Sequence, residues 1–491
     1  MATVTVNPIN LKRGPYVVIS TVIWEFFSYY GMCSLLILYL TQFFHFSDQY
    51  SYSLFGTYTS LVYLTPIIGG WLADHYLGNR ISMILGAILI MCGHFTLACT
   101  TLSGLYLGLS FLICGMGFFK SSAICLITEY YKNPTERKSA FIIYYLGGNV
   151  GAAVAPLVCG YAAAKYGWDY GFAAAGAGML CGLLILFKFR KYLAGIGNPH
   201  LPFFNEKNKF NIKLILSYLA LVFGMLGTTA FIVIKLWGGY VLIATTLVSF
   251  FIIGKIYFES KNTNNQAQQN GLTLAFILTV FGVLFWVFGQ QGVSSISLFI
   301  ERFVDRNLYC HFGNLTFQYL IPTPMFQTIN PSGIVIFGLL VAYCLKKLAK
   351  INITINSITQ VILGTALLTV GFWLFSAGAS SAQVLKISMI WAIIGLTVIS
   401  AAEIFIDPVI VSAISEVAPV KALGTLTAIY YLFTGSISNY LAAWVAKFTA
   451  SPSKHASAIL YQNTYLKIFY IGLLMIIVLC CLRWKTSQEK S

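Results

Sequence analysis

The chain has few charged residues for its length. Of its 491 residues only 9% are Asp, Glu, Lys or Arg, and just 14 are acidic. Soluble domains carry about 25% charged residues, whereas this chain is 58% hydrophobic with a mean hydropathy of +0.79. A soluble globular protein is therefore excluded. Apolar stretches of about 17 to 25 residues, long enough to cross a bilayer, recur from end to end and predict an all-α membrane protein.

Several sequence motifs of enzymes are also missing. The chain has no phosphate loop of the Walker type, no His and Cys cluster with metal-ligand spacing, and no nucleophile elbow. Most of its eleven cysteines lie within apolar segments, which argues against a disulfide framework, and Cys310 alone falls clearly in a predicted outward loop. We therefore expect neither an enzyme nor a bound metal or cofactor.

The formal net charge of +16 reflects topology and not nucleic-acid binding. Lys and Arg gather in short loops, such as Lys12 with Arg13 and the six within 187–213, while the loops 43–51 and 100–106 carry none. The positive-inside rule then places both termini and the central loop in the cytoplasm. We expect a multi-pass protein of a cell membrane, the inner membrane of a bacterium, embedded in lipid and functional as a monomer.

The apolar stretches predict fourteen spans in an arrangement of six, two and six. They lie near 15–41, 52–74, 80–101, 104–131, 138–165, 170–188, 212–234, 238–257, 271–300, 331–348, 355–377, 383–416, 421–447 and 465–483. This predicts an N-terminal six-helix bundle over 1–190, a linker with two peripheral transmembrane helices over 191–270, and a C-terminal six-helix bundle over 271–491. Transporters built from repeats follow this plan and bind substrate near the middle of the membrane.

Four ionisable residues stand out inside the predicted spans: Glu25, Lys120, Glu403 and Asp407. A charge facing lipid costs several kcal/mol, so such residues normally face a cavity or a partner. The spacing of Glu403 and Asp407 predicts both carboxylates on one helical face, just before Pro408. A buried ion pair or a snorkelling Lys remains an alternative, and Asp407 is nearly as well explained as a cap of the helix broken at Pro408.

Other side chains in the spans have two interpretations. Six tyrosines there could belong to interfacial belts or line a ligand pocket, namely Tyr29, Tyr30, Tyr63, Tyr144, Tyr145 and Tyr430. His94 is more typical of a hydrogen-bonded core histidine than of a proton carrier. The loop "GGWLADHYLGNR" combines small residues with Asp74 and Arg80, which would anchor helix ends on the cytoplasmic side. An ordinary short basic loop is the alternative interpretation of the same residues.

A set of motifs makes a family resemblance specific. They are "VIWEFFSYYG" in the first span, "YLTPIIGGWLADHYLGNR" around the first cytoplasmic loop, "GMGFFK" and "YYLGGNVGAAVAP" in the fourth and fifth spans, and "FWVFGQQGVSS", "FQTINP" and "EIFIDPVIVSAISEVAP" in the second half. The chain resembles the proton-dependent oligopeptide transporters of the major facilitator superfamily, in their bacterial form with two extra helices. The resemblance implies Gly69, Gly70, Asp74, Gly78 and Arg80 as the structural loop motif.

The same resemblance implies roles for the polar residues of the spans. Lys120 would contact the carboxylate of a peptide, and Glu403, with Asn149 and Asn330, would hold its amino end. The pocket would further include Tyr29, Tyr30, Tyr63, Trp286, Asp407 and Tyr430. A Lys120–Glu403 salt bridge would act as a gate, and Glu25, Glu403 and Asp407 would carry the coupling proton.

The departures from the family pattern are equally informative. Val22 and Phe26 replace a glutamate and an arginine beside Glu25, while Cys33 and Gln290 replace both ends of an outer ion pair. The absence of both charged residues has a physical reason, because removing only one of them would leave the other as a buried charge without a partner. The pocket is thus less cationic than the family pattern, and Gly56 stands where animal members carry a histidine.

We therefore expect a secondary transporter that moves di- or tripeptides or related amine-bearing molecules by alternating access, with the proton as coupling ion. One alternative keeps the fold but makes the chain an uncoupled facilitator or exporter of cationic amines, amino acids or modified peptides. Another is a non-transporting sensor. Substrate identity, stoichiometry and direction are not determined by the sequence.

Overall fold

The computed structural model describes residues 8–131, 133–198, 212–262, 266–312, 315–351, 355–419, 422–451 and 457–488. The helices are α1 Pro8–Leu38, α2 Asp48–Leu72, α3 Asn79–Ala98, α4 Leu102–Tyr130, α5 Pro134–Tyr166, α6 Trp168–Lys188, α7 Ile212–Lys235, α8 Gly238–Asn262, α9 Gln266–Gly289, α10 Ser295–Phe303, α11 Ile329–Lys350, α12 Ser357–Ser381, α13 Ile390–Glu403, α14 Asp407–Val417, α15 Leu423–Tyr431, α16 Ser438–Ala446 and α17 Ala458–Gln488. Each of the predicted spans contains a helix, which confirms the all-α membrane fold.

Eleven helical segments of the described residues are long and apolar enough to cross a membrane. The remaining three predicted spans correspond to α2, to α7, whose apolar part covers Leu219–Lys235, and to the segment of α15 and α16. Both α2 and the α15–α16 segment are rich in Ser, Thr and Tyr. Their lower hydropathy is expected for helices that present polar groups to the protein interior instead of lipid.

Three predicted spans are interrupted in the middle. The span near 271–300 divides into α9 and α10, the span near 383–416 divides into α13 and α14, and a π-helical segment, Leu432–Ile437, joins α15 to α16. Pro408 lies in the first turn of α14, where its missing N–H costs no hydrogen bond. Interrupted helices expose backbone groups at membrane depth, and the surrounding protein must satisfy them.

A small amount of β-structure accompanies the helices. Between α10 and α11 the strands β2, Asn307–Phe312, and β3, Leu315–Leu320, pair antiparallel. Two further two-residue strands, β1 Val304–Asp305 and β4 Ile387–Ser388, pair in parallel. The sequence predicted only a short outward loop before α11, so the hairpin is an addition to that prediction.

By its contacts the chain divides into two compact units. The first comprises Met1–Leu36 and Thr57–Gly238, and the second comprises Ile37–Gly56 and Gly239–Ser491. The first unit therefore includes α7, and the second includes α8 as well as the connection from α1 to α2. This division differs from the three segments expected from the sequence.

Glycines allow very close packing in the first unit. A Cβ added to Gly86 of α3 would lie 2.6 Å from the carbonyl oxygen of Gly115 in α4, and one added to Gly93 would lie 2.9 Å from that of Gly108. Small residues at such crossings bring helix backbones together, which favours association in membranes through van der Waals contact. The pairing fixes α4, which carries Lys120.

We predict that Gly86→Leu destabilises the protein, because backbone atoms of α4 occupy the space that the new side chain needs. Overpacking of this kind costs about 1 to 3 kcal/mol. The matched control is Gly227→Leu on α7, where no atom lies within 4 Å of the added Cβ. Thermal unfolding in detergent should show a lower Tm for Gly86→Leu alone; equal Tm values for both variants would contradict the packing.

Candidate functional site

The first unit holds Lys120 against two aromatic rings. Its Nζ atom lies 5.0 Å from the ring centroid of Tyr29 in α1 and 4.6 Å from that of Tyr63 in α2. Ring faces attract a cation at this distance, and the attraction strengthens when water is excluded. The structure thus brings together three residues predicted for the pocket, and Tyr30 packs edge-on against Tyr29 at 5.3 Å.

Glycines of the loop motif determine how α2 meets α4. A Cβ on Gly69 would collide with the backbone of Gly117, and one on Gly70 would lie 3.2 Å from Cβ of Ser121, next to Lys120 in the chain. Gly78 has φ +72° between the π-helical end of α2 and the start of α3, a conformation that favours glycine. The small residues therefore set the position of Lys120 as well as the turn.

The charged members of the loop motif behave differently from each other. Arg80 donates through Nη1 to the carbonyl of Leu193 at 3.2 Å, and its backbone N–H donates to Gly197 at 3.0 Å. Glu129 accepts a hydrogen bond from the N–H of Gly197. Arg80 thus holds the segment that follows α6. Asp74 is exposed and has no ion pair within the described part of the chain, and the anchoring of helix ends by these two residues stays a prediction.

Glu25 is the most unusual side chain of the first unit. It is 1% exposed, and neither carboxylate oxygen has a hydrogen-bond partner among the described residues. Within the described part of the chain, no hydrogen bond or ion pair joins Glu25 to a tyrosine or to Lys120. Burying a carboxylate without partners is costly. Such a group marks a functional position more readily than a structural one.

The missing motif charges are replaced by packed apolar side chains. Phe26 stacks on Tyr30 with ring centroids 5.8 Å apart and meets the edge of Tyr144 at 6.4 Å. Its ring also lies over Gly148 of α5, where an added Cβ would be 2.8 Å away. Val22 is fully buried. Apolar side chains that pack against their neighbours therefore occupy the positions of the two missing motif charges in the first helix.

Asn149 and His94 both lie in the first unit. The Asn149 amide donates to the carbonyl of Tyr145 in its own helix at 2.9 Å. The role of Asn149 beside Asn330 and Glu403 stays a prediction. His94 is fully buried, but neither ring nitrogen has a hydrogen-bond partner in the described residues. The prediction of a hydrogen-bonded core histidine is therefore wrong.

In the second unit a hydrogen bond joins the side chains of Asn330 and Glu403. The Asn330 amide donates to Oε1 of Glu403 at 2.6 Å. Glu403, the last residue of α13, is 9% exposed. Its position depends on a close crossing of α11 and α13, because a Cβ on Gly333 would lie only 2.6 Å from Cβ of Ser400. The structure thus joins two residues predicted to hold an amino group.

Asp407 forms a second carboxylate site in the same unit. Its Oδ1 atom accepts a hydrogen bond from Trp286 Nε1 at 2.8 Å and another from the hydroxyl of Tyr430. Because α13 ends at Glu403 and α14 begins at Asp407, the prediction that both carboxylates share one helical face is wrong. The alternative of a helix cap also fails, since no side chain caps α14. Trp286 and Tyr430 were predicted as pocket residues, but not as partners of Asp407.

Sequence reasoning missed the side chain that stabilises the break between α9 and α10. Gln291 Nε2 donates to the carbonyl oxygens of Val287 at 3.1 Å and Ala442 at 2.9 Å, while its Oε1 accepts from Ser295. These bonds satisfy backbone and hydroxyl groups that would otherwise be unpaired. The polar "GQQG" inside an apolar span was the available signal.

A polar cluster near the end of α10 was also missed. Arg302 binds Asp48 through two hydrogen bonds of 2.7 Å each, and it donates to Tyr461 as well. This bidentate pair ties the first turn of α2 to α10 within the second unit. Gly56, further along α2, packs against Ala443 so closely that an added Cβ would collide. The position therefore has no room for a histidine in this arrangement.

Many membrane-spanning helices, interrupted helices and ionisable side chains held inside both units define a membrane transporter. The model of the POT family matches residues 81–477. The chain therefore belongs to the POT family, whose fold is of the major facilitator type.

Individual relatives agree with this assignment. The chain is 29% identical to "Uncharacterized transporter YclF" of Bacillus subtilis, covering 88% of this chain and 87% of that protein. It is 26% identical to "Dipeptide and tripeptide permease A" of Erwinia pyrifoliae, covering 99% and 97%. The crystal structure of tetrameric PepTSo2 aligns with a TM-score of 0.79 at 25% identity, covering 97% of this chain and 99% of that one.

We predict that Asp48→Asn or Arg302→Gln alone destabilises the protein by about 3 kcal/mol, since each leaves a largely buried charge unpaired. The loss in free energy of unfolding in the double variant should be smaller than the sum of the losses in the two single variants. Thermal unfolding measures this coupling. Lys255→Gln is the control, because its pair with Glu259 is exposed and 3.9 Å long. Additive losses would contradict the coupling.

Proposed function

We propose that the chain is a secondary active transporter of di- and tripeptides, or of related amine-bearing small molecules, in the inner membrane of a bacterium. The observation that carries this proposal is that both units retain a buried or half-buried charged side chain of the predicted pocket, Lys120 in the first and Glu403 in the second. The permease name of a relative covering nearly the whole chain supports the substrate class.

The chemistry of these groups suits the two ends of a peptide. The ammonium of Lys120 is held by ring faces, which leave its N–H donors available for a carboxylate. Glu403 is oriented by Asn330, which occupies Oε1 and leaves further acceptor capacity for an ammonium group. Charge-assisted bonds at both ends would recognise backbone ends and tolerate varied side chains.

The proposed cycle is alternating access by a monomer, coupled to protons. The predicted gate between Lys120 and Glu403 remains part of this proposal, because the two residues belong to different units. The candidates for the proton carrier are Glu25, Glu403 and Asp407. The Glu25 carboxylate has no hydrogen-bond partner among the described residues. Glu403 and Asp407 interact electrostatically, so protonation of one affects protonation of the other.

We predict that Lys120→Gln or Glu403→Gln weakens binding of dialanine about 10- to 100-fold, because each removes a charge-assisted bond of about 1.5 to 3 kcal/mol. Titration of purified protein by calorimetry measures the loss. Lys235→Gln, at an exposed lysine in the last turn of α7, is the charge-matched control and should bind like the unchanged chain. Unchanged dialanine affinity in both pocket variants would contradict the peptide assignment.

The second candidate function, transport of cationic amines, rests on Asp407. This extra carboxylate sits beside Trp286 and Tyr430, whose rings could accompany a bound cation. The same calorimetric titration, extended to a panel of amines without a carboxylate, separates the candidates. Amine affinity that is lost in Asp407→Asn but unchanged in Lys120→Gln favours this function over peptide transport.

For proton coupling we predict that Asp407→Asn lowers pH-driven uptake into liposomes while substrate counterflow without a gradient continues. Counterflow needs only alternating access, whereas accumulation needs a titrating group. Uptake unchanged by Asp407→Asn would exclude Asp407 as the coupling site. If the unchanged chain binds substrate but shows no counterflow, a non-transporting sensor replaces the transporter.

A further inference from the structure

A cavity of about 330 Å³ separates α8 from the rest of the second unit. Its walls come from α8, α9, α14 and α15, and its lining includes Phe250, Gly254, Tyr257, Ala275, Thr279 and Tyr430. Phe250 closes one side of the cavity. Its ring centroid lies 6.3 Å from that of Phe276 and 5.7 Å from that of Phe433. At Gly254 an added Cβ would have no atom within 4 Å, so the wall of α8 is open there.

The lining provides almost no polar group for a ligand. The hydroxyl of Thr279 donates to Ala275 of its own helix at 2.8 Å, and that of Thr273 donates to Gln269 at 2.9 Å. The hydroxyl of Tyr430 is bound to Asp407. A buried water needs two to four polar partners, and a peptide backbone needs more. Neither is a suitable occupant.

The helix that borders the cavity lies at the periphery of its unit. Only 11% of the apolar window of α8 is buried within the protein. The rest of α8 therefore faces the bilayer, and the cavity is continuous with a helix surface that contacts lipid tails. An empty apolar cavity forfeits the dispersion contacts of its lining, and a hydrocarbon chain restores them.

We propose that this cavity is a binding site for one acyl chain of a membrane phospholipid. Its volume and apolar walls suit part of a hydrocarbon chain. Lys255, next to Gly254 in the chain, is 69% exposed and only weakly paired with Glu259, so its ammonium is available for the phosphate of the same lipid. This proposal does not depend on the transported substrate.

The site has a direct physical connection to the candidate substrate residues. Tyr430 forms part of the cavity wall with its ring and holds Asp407 with its hydroxyl. A chain in the cavity therefore packs against the ring that positions a carboxylate of the second unit. Lipid occupancy restricts the rotation of this ring and stabilises the hydrogen bond to Asp407.

Native mass spectrometry of the full chain, purified in mild detergent and incubated with a phosphatidylglycerol, tests the site. We expect one tightly retained lipid on the unchanged protein and its loss in Gly254→Phe, whose ring fills the cavity. Gly224→Phe on α7 is the matched control, because its added Cβ also meets no atom within 4 Å and Gly224 does not line this cavity. It should retain the lipid.

Four outcomes would overturn the site. The first two are retention of the lipid by Gly254→Phe and equal loss of the lipid in both glycine variants. The third is displacement of the lipid by dialanine, which would make the cavity a substrate pocket. The fourth is a dimer of the unchanged chain that only Gly254→Phe dissociates, which would make the cavity surface a contact between two copies of the chain. The proposal is supported if added lipid changes the Tm of the unchanged chain but not the Tm of Gly254→Phe. This comparison holds even if that variant is less stable.

Discussion

The energetic cost of a charge at membrane depth governs this structure. Few ionisable side chains lie within the spans, and each of the four singled out has a different environment. Lys120 lies against two aromatic rings, Glu403 is bonded to an amide, and Asp407 is bonded to an indole and a phenol. Glu25 alone is buried without a hydrogen bond among the described residues. Ionisable residues inside spans commonly mark functional positions, and Glu25 is one of the proposed proton carriers.

The same constraint explains how the first helix departs from its family. The two motif positions beside Glu25 carry apolar residues, which need no buried charge partner. Phe26 now fills the space over Gly148, and Val22 is fully buried. Besides Glu25, the charged side chains of the proposed substrate and proton sites are Lys120 and the two carboxylates around the break between α13 and α14.

Much of the fold could be predicted from the sequence, because hydropathy reports directly on spans. Motifs also identified Lys120 with its two tyrosines, and Glu403 with Asn330. Pro408 indicated a break in the helix, but the sequence placed Glu403 and Asp407 on one helical face, since periodicity assumes that the helix is unbroken up to the proline, whereas α13 already ends at Glu403. Partnerships such as Arg302 with Asp48 join residues 254 positions apart, and only packing reveals them. The cavity beside α8 likewise depends on how far a peripheral helix stands from its neighbours.

The central claim is that Lys120 and Glu403 bind opposite ends of one substrate. A structure of the protein with dialanine bound tests it most directly. The account predicts the peptide carboxylate within hydrogen-bond distance of Lys120 Nζ and the amino group within hydrogen-bond distance of Glu403, with Asn330 still bonded to that carboxylate. A peptide held with its amino group on Asp407 and no contact to Glu403, or one bound without contact to Lys120, would contradict the claim.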